Sequence, residues 1–443
     1  MKEKPNLSFW GLWNLSFGFF GVQIAYSLQS ANIARIFATL GADPHSLSYF
    51  WILPPLMGMI VQPIVGTLSD KTWWGRLGRR IPYLLIGVTI AVIVMSLLPN
   101  AGSFGMTVST AMVFGLIMLM FLDTSLNMAM QPFKMLVGDM VNEKQKSLAY
   151  SIQSFLVNAG SVLGFVFPFL LTWLGIKNSA AKGVVPDSVI LSFYLGAAIL
   201  ILCVIYSVAK IREWNPKKYE EYNGSKKEDD TTDDKSSGNW IALLRHAPAT
   251  FWRVSLVQFF CWAAFLYMWT YTNGSIADTV WGVDMADPNH VTTSAYQEAG
   301  NWVGILFGVQ AIGAVVWAMM LPRFKSRKMA YAVSLIIGGI GFASVPFMGD
   351  KYMLFISFAL IGCAWAAMMA MPFTFVTNAL QGYGHMGAYL GLFNCAICLP
   401  QIIAAATGGS VLSLLGSHQY NMMIAAGVFL VLGALAVTAI KEK

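Results

Sequence analysis

Apolar residues run in blocks of about twenty along most of this chain, divided by short polar breaks. A block of that length crosses the ~30 Å hydrocarbon core of a bilayer as a helix. Twelve blocks are read, at roughly 9–31, 47–68, 81–99, 107–133, 148–174, 188–209, 250–273, 299–321, 329–348, 351–376, 388–412 and 419–440. In lipid every backbone N–H and C=O must be bonded inside the protein, and a helix does this within one segment. The pattern predicts an all-α membrane protein of twelve transmembrane helices.

The longest polar break holds the run KKEDDTTDDKSSG at 226–238. Its mixed charge and Ser/Gly content predict a flexible cytoplasmic linker over 213–248, between a six-helix half at 1–212 and another at 249–443. The halves share a faint repeat: Ala129-Met130-Gln131-Pro132-Phe133 matches Ala370-Met371-Pro372-Phe373, and Ala149-Tyr150 matches Ala388-Tyr389. Parallel six-helix repeats are a secondary-transporter architecture that handles its substrate near the bilayer midplane.

Composition sharpens this picture. The chain of 443 residues is 57% hydrophobic and 11% charged, with mean hydropathy +0.61, against about 25% charged in soluble domains. A soluble fold is excluded. With the N-terminus inside, all but four of the 28 lysines and arginines face the cytoplasm, the four being Arg35, Lys177, Lys182 and Lys351. That asymmetry places both termini in the cytoplasm of a plasma (inner) membrane. The net charge of +7 therefore orients the chain and gives no reason to expect nucleic acid. Residues 1–8 lead into a full-length span without a cleavage site. All five cysteines fall inside predicted spans, so disulfides are not expected. With no nucleophile–base set, phosphate loop or metal cluster in the sequence, neither enzyme activity nor a cofactor or metal is expected.

The residue that most demands explanation is Asp123, inside the apolar stretch Gly115–Met135. An acid at that depth costs roughly 2.5–3.5 kcal/mol by insertion scales, and no other apolar block carries one near its middle. It either pairs with a neighbouring base or binds a cation or proton. At the repeat offset its counterpart is Cys363, so the charge sits in one half only. The histidines (His45, His246, His290, His385, His418) all lie in loops or at span edges, which leaves Asp123 without a rival proton carrier.

Asp123, Asn127, Gln131 and Lys134 share one face of the fourth helix. Such a stripe must face protein or a watery cavity, and a carboxylate with amides one and two turns away suits sugar hydroxyls. Lys134 lies about 16 Å along the helix from Asp123, near the cytoplasmic end, where its side chain can snorkel. Gln29 and Asn158 add donors from the same half; Gln258 and Asn394 add them from the other. Each alone is more often an interhelical hydrogen bond than a ligand. Most tryptophans sit near span ends, as an aromatic belt does. Trp262 and Trp365 lie mid-span, where an indole can stack on a sugar ring or simply pack.

The loop after the second span reads Gly66-Thr-Leu-Ser-Asp70-Lys-Thr-Trp-Trp-Gly-Arg-Leu-Gly78-Arg79-Arg80. It resembles the signature loop of the major facilitator superfamily, lengthened as in plant sucrose–proton symporters and their bacterial and animal relatives. The resemblance extends to Leu28-Gln29 with Thr39-Leu40-Gly41, to Gly58-Met59-Ile60-Val61-Gln62-Pro63, to Pro132 through Asp139, and to Gly387 through Asn394 with Pro400-Gln401. It implies the major facilitator fold and a bacterial member that carries a disaccharide or related glycoside together with a proton. Asp123 would take the proton, Asp70, Arg79, Arg80 and Lys134 would gate, and the partners would be a small-molecule sugar, a proton and membrane lipid, with the protein a monomer. One position departs: the family usually has arginine where this chain has Lys134, a point charge in place of a bidentate fork. A major facilitator exporter or facilitator of another small organic solute is the alternative, and a non-transporting sensor or scaffold a third.

Overall fold

A computed structural model describes residues 3–223, 240–380 and 386–440. Among the described residues every regular element is helical. The long helices are α1 (Phe9–Leu40), α2 (Leu53–Lys71), α3 (Ile81–Leu97), α4 (Val108–Met140), α5 (Glu143–Trp173), α6 (Asp187–Lys210), α7 (Ala249–Thr279), α8 (Ser294–Met320), α9 (Arg327–Ser344), α10 (Leu354–Ala379), α11 (Met386–Leu414) and α12 (Gln419–Thr438). Several starts follow from capping side chains. Thr107, Asn142, Thr293 and Ser326 each accept a backbone N–H from the first turn of α4, α5, α8 and α9, satisfying one of the unpaired donors at a helix N-terminus. Prolines 63, 132, 168, 372 and 400 lie inside helices, as membrane spans tolerate.

Eleven of the described helical stretches are long and apolar enough to cross a membrane. The exception is α1. Its 32 residues are ample in length, but Asn14, Gln23, Gln29, Asn32 and Arg35 dilute its apolar character. It also runs nine residues past the end expected from hydropathy. Arg35, expected outside the membrane, lies within this extension at 1% exposure. Its Nε donates to Gln297 Oε1 and its Nη1 to Asn301 Oδ1, both at 2.7 Å. A Cβ at Gly300 would come within 2.6 Å of the arginine side chain, so only glycine leaves room for it. The helix continues because its polar residues find partners that one-dimensional hydropathy does not see.

The chain divides into two compact units, one of Met1–Asn32 with Met57–Asp233, the other of Ile33–Leu56 with Asp234–Lys443. In the first, α3 and α4 approach closely at Gly87, where a Cβ would meet the Ser125 carbonyl at 2.7 Å, and α1 and α5 do so at Gly164. In the second, Gly341 and Gly313 bring α9 and α8 against α10. Small residues replace the hydrophobic effect as the means of close helix packing in lipid. Within the second unit, Arg35 and the 3₁₀ turn Leu47–Ile52 bring 33–56 against α7, α8 and α11. The expected linker begins as ordered structure, a short helix at Pro216–Asn223. The run 226–238 lies outside the described residues.

Candidate functional site

Asp123 is fully buried on α4, as are Leu119, Leu122, Leu126 and Phe133 of the same helix. Its Oδ1 accepts a short bond, 2.5 Å, from Gln29 Nε2 on α1. Its Oδ2 and the Gln29 Oε1 have no hydrogen-bond partner. Among the described residues no base pairs with it. The pairing explanation open to the sequence is therefore not met by any recorded contact, and a buried carboxyl with one unbonded oxygen is suited to carry a proton there.

One turn on, Asn127 is buried. Its Nδ2 donates to the Asp123 carbonyl at 2.8 Å and its Oδ1 accepts from Gln62 Nε2 at 2.7 Å. Gln62 Oε1 lies 3.4 Å from Lys134 Nζ. The stripe on α4 is thus bridged by an α2 amide, running from Asn127 through Gln62 to an exposed lysine. Gln131 is half-buried beside Gly66. Gln62 was missed as a site residue; it stands in sequence beside Pro63 in an ordinary apolar block, and only the packing of α2 on α4 reveals it. Asn158 is half-buried and gives its amide to the Ser154 carbonyl of its own helix.

In the second unit, Gln258 is buried and donates to the Met368 carbonyl at 3.2 Å, leaving Oε1 without a partner. Trp262 and Trp365 meet edge-on at 5.8 Å between ring centroids. Asn394 is exposed on α11. The eight polar and aromatic candidates therefore sort into a cluster in the first unit (Gln29, Asn127, Gln131), a second on α7 and α10 (Gln258, Trp262, Trp365), and Asn158 and Asn394 outside either.

The expected gating loop is built around residues the sequence did not single out. The Glu213 carboxylate accepts from the backbone N–H groups of Arg79, Arg80 and Ile81 at 2.9–3.1 Å, capping the start of α3. Burial raises its pKa above the ordinary glutamate value, against the pull of those N–H groups and of Arg80. Arg80, at 2% exposure, pairs with Asp139 at 3.0 Å and bonds Ser69 Oγ. Asp139 also accepts from the Tyr219 hydroxyl, and Arg79 lies over the Tyr219 ring at 3.7 Å. Asp70 lies in the last turn of α2, and its side chain falls outside the described set. Glu213 and Tyr219 lie 132 and more residues from the loop they brace, a separation that hid their role.

A buried acid and polar stripes inside membrane helices suit a protein that handles an ion or a polar solute. In fold, the chain superposes on a crystal structure of a mutant of the nucleoside transporter NupG with TM-score 0.70 at 14% identity, over 98% of this chain and 99% of that one. The inward open xylose transporter XylE from E. coli matches with TM-score 0.63, also at 14% identity, over 98% and 95%. In sequence, the chain is 24% identical to the sucrose transport protein SUT5 of Oryza sativa subsp. indica, over 88% of this chain and 80% of the relative. It is 22% identical to the sucrose transport protein SUC4 of Arabidopsis thaliana, over 95% and 88%. The description MFS/sugar transport protein matches residues 17–285. The chain belongs to the MFS/sugar transport protein family, and it is a transporter of the major facilitator type, not an enzyme.

Proposed function

We propose that this protein is a proton-coupled symporter of a disaccharide or related glycoside, sucrose- or maltose-like, working by alternating access in the plasma membrane. The observation that carries the reading is Asp123: fully buried, bonded on one oxygen only and, among the described residues, without a basic partner. A carboxyl so placed can bind a proton from one side and release it to the other as its surroundings change, because the charged form is tolerated only where water reaches it. The relatives named as sucrose transport proteins support a sugar as the cargo.

In this reading α1 is the twelfth span, both termini are cytoplasmic and the protein acts as a monomer. Asn127, Gln131 and the Oε1 of Gln29 supply hydroxyl-binding groups near the acid. Gln258, Trp262 and Trp365 supply them in the second unit, with Asn158 and Asn394 reaching the sugar in other states of the cycle. Arg79, Arg80, Lys134 and Asp70 serve the cytoplasmic gate.

The test is uptake of a disaccharide panel into proteoliposomes under an imposed pH gradient, acid outside. Sugar accumulation above equilibrium is the expected result. Absence of gradient-driven accumulation for every sugar, with a nucleoside or another solute carried instead, favours the alternative cargo that the likeness to a nucleoside transporter keeps in view.

A further inference from the structure

Charge in the second unit is sorted by sign. From residue 235 onward the acids are Asp278, Asp284, Asp287, Glu298, Asp350 and Glu442. The first five stand where α7 ends, α8 begins and α9 gives way to α10, at one end of the helices. Glu442 lies outside the described residues. The other end, where α7 begins, α8 ends, α9 begins and α12 ends, carries Arg245, Arg253, Arg323, Lys325, Arg327 and Lys328. Among the described residues of this unit no acid shares that end. The first unit differs at the end where α1 begins. There Lys144 pairs with Glu3 and Arg80 with Asp139, and Glu213 stands beside them. The positive-inside rule sorts Lys and Arg to one end but does not keep acids away from it. The rule alone therefore leaves the acid-free end of the second unit unexplained.

The bases follow the rim of an apolar surface. Arg323 closes the 3₁₀ turn after α8, and Phe324 and Ser326 continue with extended backbone, so side chains alternate in direction. Arg323, Lys325 and Arg327 are exposed, whereas Phe324 and Ser326 are half-buried, Phe324 against Trp317 at 6.1 Å between ring centroids. Ser326 caps α9, whose N-terminus adds partial positive charge to this row. Lys328 donates to the Thr438 and Ile440 carbonyls at the end of α12. Since α12 packs on both α7 and α9, Arg253 at the start of α7 shares the same end. Met319 and Met320 before the turn, Met329 after it, and Trp252 and Leu256 around Arg253 are all exposed. Apolar side chains exposed on spanning helices face acyl chains, and a tryptophan at a span end marks the headgroup level. The bases thus begin where the acyl-facing surface stops.

We propose that the α8–α9 turn, together with Arg253, is a binding surface for anionic phospholipids and that the headgroup phosphate is the group recognised. Arg323 and Arg327 can grip phosphate oxygens bidentately, and Lys325 adds a point charge. Their long stems lie along the apolar rim while the charged ends reach the phosphates. That rim is what favours lipid over a soluble acidic protein, which would meet the bases and leave the apolar side chains uncovered. In the orientation proposed above this end is cytoplasmic, the side on which basic segments next to a span attract anionic lipid. The surface does not depend on which solute is carried.

The experiment titrates the full-length protein in detergent with dioctanoyl phosphatidylglycerol, with dioctanoyl phosphatidylcholine and inorganic phosphate as contrasts, and follows binding by thermophoresis. Phosphatidylglycerol is expected to bind more tightly than phosphatidylcholine, and less so as salt is added. Arg323→Gln, Lys325→Gln and Arg327→Gln should each weaken it about fivefold, and the three combined by about tenfold or more. The unfolding midpoint should hold, because these side chains are exposed. Lys351→Gln, at the opposite end of the unit, should leave binding unchanged. Where the combined variant is not monodisperse, the single variants carry the test. Equal binding of the two lipids overturns the proposal, and so does a preference for phosphatidylglycerol that the variants keep. Displacement of phosphatidylglycerol by inorganic phosphate at equal concentration shows a free-anion site and overturns the lipid assignment. A synthetic peptide of residues 226–238 that binds more tightly than phosphatidylglycerol, and that the variants lose, shows an acidic-chain partner and overturns it as well.

Discussion

Asp123 and Asp139 stand on the same helix, and their surroundings could hardly differ more. Asp139 is bonded by Arg80 and by the Tyr219 hydroxyl, in a corner that Glu213 also braces. Asp123 has Gln29 on one oxygen and nothing on the other. A carboxylate supplied with a cation and a hydroxyl is held charged and acts as a structural tie. A buried one left short of partners is costly to keep charged, which suits a group whose task is to change its protonation. Four substitutions test whether this contrast is the working division of α4.

The largest effect is expected from Asp123→Asn. Gradient-driven sugar accumulation in proteoliposomes should fall to the equilibrium level while sugar counterflow persists, because the amide fills the same volume without a titratable proton. Thermal stability should hold or rise, since a costly buried acid is removed. Accumulation that survives would end the coupling role.

Asp139→Asn should act the other way. It takes the charge from the carboxylate that Arg80 pairs with at 3.0 Å, a loss of up to about 3 kcal/mol by analogy with broken buried pairs, read as a lowered midpoint of thermal unfolding. Coupling should remain in the protein that folds. Loss of coupling at full stability would erase the distinction between the two acids.

Gln29→Leu removes the one partner that the Asp123 carboxyl has among the described residues, at a cost of about 1–2 kcal/mol for an unmet buried hydrogen bond. Its informative readout is the pH profile of uptake. The Gln29 bond is made to the carboxyl that would carry the proton, so its loss should shift the profile. An unmoved profile would mean that Gln29 does not tune the acid.

The smallest effect is expected from Glu213→Gln, less than about 1 kcal/mol at neutral pH. The amide oxygen can still accept from the backbone N–H groups of Arg80 and Ile81, and only the bond from Arg79 is lost. Burial holds the Glu213 pKa above its ordinary value, so the folded state binds that proton more readily than the unfolded chain. Acidification from neutral through the raised value should therefore stabilise the wild type slightly, and the glutamine variant should lack that increment. Unfolding midpoints measured across mildly acidic pH read the difference.

Much of this was legible in one dimension. Apart from the end of α1, apolar blocks of spanning length located the long helices to within several residues, because the bilayer sets their length. Asp123 stood out because an acid in an apolar run is conspicuous. The α4 stripe followed from helical periodicity. The errors and omissions share a cause. The end of α1 was placed nine residues early because Arg35 reads as exterior, and only Gln297, Asn301 and the room left by Gly300 let it stay buried. Gln62, Glu213 and Tyr219 were passed over because their partners are far away in sequence.

The sequence by itself determined that this chain lies in a membrane as a set of helices and that one acid is buried among them. Both follow from transfer energies, which each residue carries with it wherever the chain folds. Tertiary structure decided which polar groups are answered and which are left open. Asp139 received a cation and Asp123 did not; Trp302 received an acceptor and Trp262 did not. A hydrogen bond depends on the distance and direction between two groups, and those are set only when helices distant in sequence come together.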